Sequence, residues 1–80
     1  MRYVYILASL RCPPQYYVGS TSNLRRRLAE HNAGKSPHTS KHLPWRVLVA
    51  VWFADDHRAQ EFERYLKSGS GRAFALRHLL

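Results

Sequence analysis

The segment Trp45 to Phe53 constrains the fold more than any other, because Val47, Val49 and Val51 alternate with Leu48 and Trp52, making it apolar on both parities. Successive side chains of a strand point to opposite faces, so a strand of this kind needs cover above and below. We therefore expect a sheet sandwiched by other elements, with this strand at its centre. A chain of 80 residues can bury one core and not two. Residues 1–80 thus read as one domain, without repeats, low-complexity tracts or linkers.

The neighbouring segments supply the other layers. Arg2, Val4 and Ile6 alternate with Tyr3, Tyr5 and Leu7, which predicts a strand to about Ala8. Pro13 and Pro14 cannot donate to a ladder, so they belong to a connection, and a second strand at Gln15 to Ser20 completes a hairpin. Ser22 or Asn23 can cap a helix whose Leu24, Arg27, Leu28 and His31 recur at three-and-four spacing, with Gly34 closing it. Lys35 to Pro44 has no period and reads as a mobile loop. Asp55 and Asp56 can cap a second helix with Ala59, Phe62 and Leu66 inward and Glu63 and Lys67 beside that stripe. Gly69-Ser70-Gly71 should end it, and a last short helix from about Arg72 should dock Phe74, Leu76 and Leu79. The order is β-β-α-β-α-α, an α+β domain with a three-stranded, mainly antiparallel sheet flanked by helices.

Thirteen Lys and Arg against five Asp and Glu give a net charge of +8, which favours a polyanionic partner. An anionic membrane fits less well, since Leu24 and Leu28 make a thin apolar face on the Arg-rich helix. No apolar run approaches the roughly 20 residues that cross a bilayer, and the first residues lack a signal-peptide pattern, so the expected address is the cytoplasm. Cys12 is the only cysteine and reads as a loop thiol, excluding an intrachain disulfide or a cysteine-rich zinc cluster. His42, His57 and His78 read as surface residues. Trp45 and Trp52 would be the anchors of a protein-interaction adaptor, a role the charge fits poorly.

Several residues then stand where phosphodiester chemistry needs them. Tyr5 and Tyr17 lie on the two arms of the hairpin, and Arg27 and His31 share one side of the first helix. Gly19 lets the backbone approach a ligand or a packed helix. An Arg fork can hold two oxygens of a phosphate as it gains charge. Magnesium, or manganese, takes oxygen ligands, keeps several waters and is often held by one or two carboxylates, a role for Glu63. The chain has only Glu30, Asp55, Asp56, Glu61 and Glu63, which favours one metal over two. A tyrosine serves as base if positive charge lowers its pKa, which Arg27, a metal ion and His31 would do. Singly, each of these residues has an ordinary structural explanation; only their joint spacing points to chemistry.

At these residues the sequence resembles the GIY-YIG nuclease family, in its small stand-alone branch. Tyr3-Val4-Tyr5 occupies the first half of the signature and Tyr17-Val18-Gly19 the second. Asn23 to His31 resembles the family's helix with its catalytic Arg and following His, Ala59 to Lys67 its glutamate helix, and Lys67 to Arg72 the continuation found in single-domain members. Tyr3 takes the place of the signature glycine. Where some members carry an asparagine after the glutamate, Ser68 or Ser70 stands near. The resemblance implies a DNA endonuclease using one divalent cation, serving repair, recombination or DNA uptake, in which Tyr5, helped by His31, activates water, Tyr17 positions phosphate or water, and Arg27 steadies the phosphate. Nucleic acid would meet Gly19, Ser20, Lys35, His38, Lys41 and Lys67. With no further domain to find a target, single-stranded or branched DNA is the expected substrate, with specificity from the loop Lys35 to Lys41, a homodimer or a recruiting partner. The competing reading is a catalytically inactive nucleic-acid-binding domain.

Overall fold

The computed structural model describes residues 1–80. Strands β1 (Arg2–Ser9), β2 (Tyr16–Thr21) and β3 (Trp45–Phe53) form one antiparallel sheet in the order β2-β1-β3. Helix α1 (Leu24–Asn32) follows β2, a turn of 3-10 helix (Ser40–His42) precedes β3, and α2 (Asp56–Leu66) and α3 (Gly69–His78) complete the chain. The β-β-α-β-α-α order and the all-antiparallel sheet match the α+β expectation.

The central strand is β1, not β3 as expected. Parity reports which faces of a strand are covered and says nothing about its edges. In β3 both faces have neighbours, Val47 against the Tyr5–Leu7–Trp45 cluster and Val49 and Phe53 against the opposite core, yet Arg46, Ala50 and Trp52 remain exposed. In β1 every residue from Val4 to Ser9 is buried. Its tyrosines are amphipathic, so the alternation read from sequence conceals a segment apolar on both sides. Between Ile6 and Leu7 the pairing register shifts, Ile6 facing Val49 and Leu7 facing Val47, which leaves Leu48 as the extra residue of a bulge.

The two faces of β1 define two cores. Val4 and Ile6 pack with Ala59, Leu66 and Ala75 under α2 and α3, whereas Tyr5 and Leu7 pack with Trp45 and with Leu24 and Leu28 of α1. Asn23 caps α1, its side chain accepting from the Arg26 N–H, and Gly34 beyond the end adopts a φ of 76° that favours glycine. Asp55 rather than Asp56 caps α2, accepting from the His57 N–H.

The α2–α3 junction differs from expectation. Gly69 and Gly71 do not terminate α2; they lie in the first turn of α3, which Ser68 caps by accepting from the Gly71 N–H while donating to the Tyr65 carbonyl. Ser68 is therefore engaged in the turn and is not a free substitute for the missing asparagine. A Cβ at Gly71 would overlap the Tyr65 backbone carbonyl, so only glycine permits the tight crossing. Leu76 points outward at 70% exposure, and Ala75 takes the core position assigned to it. Gly71→Ala should thus destabilise the fold by about 3 kcal/mol, whereas Gly69→Ala, with open space around its Cβ, should be neutral or stabilising by about 0.5 kcal/mol. Urea unfolding midpoints of the two variants measure the contrast.

Candidate active site

The α1 face of the sheet gathers four of the five expected catalytic side chains. Tyr5 on β1 is 1% exposed, and its hydroxyl lies 3.0 Å from His31 Nε2. His31 is fully buried, and its other nitrogen, Nδ1, lies 2.8 Å from Thr39 Oγ1. Tyr17 on β2 is partly exposed, its ring 6.5 Å from Tyr5 and 5.1 Å, edge-on, from His31. Arg27, one turn before His31, donates to Glu30 Oε1 at 3.0 Å and is close enough to the Tyr5 phenol to favour its ionised form.

Gly19 enables this arrangement in a way other than the one expected. It pairs with Tyr5 across the hairpin, and a Cβ there would stand 2.5 Å from the Tyr5 hydroxyl oxygen and 3.0 Å from the Tyr17 ring. The residue is buried, and its missing side chain makes room for the phenol rather than for nucleic acid.

The protein's own groups do not supply the expected acidification of Tyr5. The Tyr5 pKa is raised, because burial outweighs the hydrogen bond and positive charge of Arg27, with Tyr17 and Glu63 adding to the rise. His31 supplies no positive charge, since burial and the neighbouring Arg27 lower its pKa, Glu30 only partly opposing them. Near neutral pH the pair is therefore a protonated phenol beside a neutral imidazole, an arrangement suited to passing a proton from Tyr5 to His31.

Glu63 belongs to α2, which packs on the other face of the sheet. It shares a polar depression with Arg2, Ser20, Gln60, Arg64 and Lys67, and its charge is felt by Tyr5. One carboxylate oxygen receives Lys67 Nζ at 3.0 Å. No cluster of three or more His, Cys, Asp or Glu exists, so no all-protein metal cage is available. A half-buried carboxylate with its second oxygen outside that ion pair nonetheless suits a hydrated magnesium or manganese ion completed by water and phosphate oxygens.

Of the expected nucleic-acid contacts, Lys35, His38, Lys41 and Lys67 are exposed. Ser20 is less available, because its hydroxyl and carbonyl both accept from the Arg2 guanidinium, at 3.3 and 3.2 Å. Lys35 to Pro44 is also more than an irregular loop, since it contains the 3-10 turn and buries Ser36 and Thr39. Trp45 is no surface anchor; it is 4% exposed, and its indole N–H donates to the Thr39 carbonyl at 2.9 Å. His42 is half-buried, edge-on to Trp45.

Sequence reasoning missed Thr39, Glu30 and Arg2. Glu30 had a signal, lying three residues after Arg27 and four after Arg26 on one helix; its pKa is lowered chiefly by the Arg27 hydrogen bond. Thr39 had none, because nothing in a polar loop marks which hydroxyl turns inward.

The lowered His31 pKa carries a linkage prediction. The folded state binds the imidazole proton less readily than the unfolded chain does, so His31 contributes stability above the unfolded value of about 6.5, and that stability is lost as pH falls below it. The groups facing the ring are Tyr5, Tyr17, Arg27 and Glu30. Thermal midpoints of the wild type should therefore fall between about pH 7 and pH 5, and His31→Gln, less stable at pH 7, should show a shallower fall over the same interval.

Comparisons with known proteins bear on the family. The GIY-YIG catalytic domain family matches residues 1–75. A UPF0213 protein of Streptococcus pneumoniae is 43% identical over 53 residues, covering 65% of this chain and 54% of its own length. A UPF0213 protein of Lacticaseibacillus paracasei is 39% identical over 66 residues, covering 81% of this chain and 72% of its own. The structure-specific endonuclease subunit SLX1 of Debaryomyces hansenii is 37% identical over 71 residues, covering 80% of this chain but 20% of its own. The chain thus spans about half the length of the streptococcal relative, and no solved structure matches it. With a family match over residues 1–75 and the tyrosines, arginine and histidine of the signature segments gathered on one face of the sheet, the chain belongs to the GIY-YIG catalytic domain family.

Proposed function

We propose that this chain is an endonuclease that hydrolyses the phosphodiester backbone of DNA with the help of one divalent cation. The observation that carries the reading is the buried contact between the Tyr5 hydroxyl and His31 Nε2 at 3.0 Å, with the Tyr17 ring beside both. The net charge of +8 supports an anionic substrate, and the relatives named structure-specific endonuclease subunits support a nucleic-acid one.

The chemistry follows from the residues. Tyr5 takes a proton from the attacking water as its own passes to Nε2; the hydroxide attacks phosphorus, and the ester oxygen leaves with the bonding pair. Tyr5 has the role of base because its oxygen faces a proton acceptor, and the more exposed Tyr17 positions water or phosphate. Arg27 exchanges Glu30 for phosphate oxygens, a bidentate contact that strengthens as negative charge develops. Glu63 would hold Mg2+ or Mn2+, which when bound supplies positive charge against the phosphate oxygens and leaving group. Lys67, its present partner, would then be released toward the DNA backbone.

The reading extends to single-stranded or branched DNA. Beside Tyr17 lies a groove of about 470 Å³ lined by Tyr16, Val18, Leu76 and Leu80, with Lys67 and Arg72 among its cations. Tyr16 is 51% exposed, offering a ring on which an unpaired base can stack, with phosphates on the two cations. A paired base has no such freedom. Selection of a particular target would rest with the exposed Lys35, His38 and Lys41 or with a recruiting partner.

A nicking assay tests the activity. Wild type with Mg2+ should cut, and chelator should abolish cutting. Arg27→Ala and Glu63→Gln should each lower the rate by roughly 100-fold or more while retaining DNA affinity. Binding without cutting by the wild type would instead identify an inactive binding domain. On matched substrates, flap and single-stranded DNA should be cut faster than duplex, and Tyr16→Ala should weaken single-strand binding by about 5- to 100-fold. A preference for plain duplex would overturn the substrate assignment.

A further inference from the structure

A neutral imidazole carries one proton, and the nitrogen that holds it decides whether His31 accepts a hydrogen bond from Tyr5 or donates one. The Tyr5 hydroxyl lies 3.0 Å from His31 Nε2, and a proton can pass from the phenol to the ring only if Nε2 carries none. In the proposed reaction the ring proton therefore belongs on Nδ1. Nδ1 faces Thr39 Oγ1 at 2.8 Å, and Thr39, like His31, has no exposure to solvent, so water cannot replace that hydroxyl.

We propose that Thr39 is a positioning residue: by accepting the Nδ1 proton it holds His31 in the tautomer whose Nε2 faces the Tyr5 hydroxyl as a proton acceptor. The proposal rests on the reading of Tyr5 and His31 as the proton-transfer pair. The same hydroxyl also suits the state after transfer, when both ring nitrogens carry protons. Nε2–H then faces the Tyr5 oxygen and Nδ1–H still faces Thr39.

Thr39 is itself held on several sides. Its N–H donates to the Ser36 carbonyl at 3.2 Å, and its carbonyl accepts from the Trp45 indole at 2.9 Å and from the His42 N–H at 3.2 Å. Trp45 is fixed in turn by Asn32, the residue after His31, whose side-chain amide accepts from the Trp45 N–H at 2.7 Å and donates to its carbonyl at 3.0 Å. The end of α1, the loop and the start of β3 are thereby closed around one imidazole. The loop that presents Lys35, His38 and Lys41 outward also sends Thr39 inward, so it joins the charged surface to the proton pair.

Long-range proton–nitrogen correlation spectra of the imidazoles, recorded at neutral pH on the whole chain, read the tautomer with no cleavage assay. Wild type and Thr39→Ser should both show His31 protonated at Nδ1 with Nε2 bare. Thr39→Val, nearly isosteric but without an acceptor, should move the proton to Nε2 and slow nicking on the order of 100-fold, chiefly in kcat, with Thr39→Ser retaining most of the rate. Wild-type His31 protonated at Nε2, or Thr39→Val with the wild-type tautomer, would overturn the proposal. The wild-type spectrum decides even if Thr39→Val does not fold. A wild type that cuts nothing would sink the nuclease reading while the spectra still judge Thr39.

Discussion

Burial of β1 on both faces, with ladders on both edges, is the constraint from which the rest of the structure follows. Hydrophobic burial stabilises an element roughly in proportion to the apolar area removed from water, and β1 is the strand removed most completely. Its even-numbered residues hold α2 and α3, and its odd-numbered ones hold α1. Tyr5 is a member of this strand, so the candidate base is held by the most deeply buried strand of the sheet. Gly19 completes the constraint from β2, because any larger residue would contest the space of the phenol.

A second pattern concerns charge. Arg27 rests against Glu30 and Glu63 against Lys67, each a partner three or four residues along the same helix. Partly exposed pairs of this kind contribute little to stability. What they do is hold long side chains near one geometry, which in the proposed reaction leaves little conformational freedom to be lost on binding phosphate. Arg26 shares Glu30, which would leave that carboxylate a cationic neighbour if Arg27 turned to a substrate as proposed.

Much of the fold was legible because it follows from periodicity. The hairpin, the α1 face of Leu24, Leu28 and His31, and the inward stripe of α2 all appear where the spacing places them. The illegible parts are those that periodicity does not encode. Which strand is central depends on how edges pair, and β1 disguised its burial behind tyrosines. The α2–α3 turn depended on a backbone approach at Gly71, which looks in sequence like any flexible Gly-Ser-Gly. In the site, Tyr5, Tyr17, Arg27 and His31 were recognisable as a set through their order along the chain. Thr39 was not, because its role arises from a long-range contact between a loop hydroxyl and a ring nitrogen.

The Tyr5 environment shows why geometry and ionisation must be argued together. A nearby arginine suggests an acidified phenol, and that inference fails because burial at 1% exposure raises the pKa more than Arg27 lowers it. Burial also keeps His31 neutral, and a neutral imidazole is an acceptor where an imidazolium is not. The desolvation that disfavours a free phenolate thus provides a place for its proton. In the proposed reaction, proton transfer along Tyr5–His31 would create an imidazolium in the same buried space, favourable only as negative charge builds beside it. On that proposal an incoming phosphate, approaching Arg27 and the partly exposed Tyr17, brings that charge, so the pair responds to substrate rather than to bulk pH.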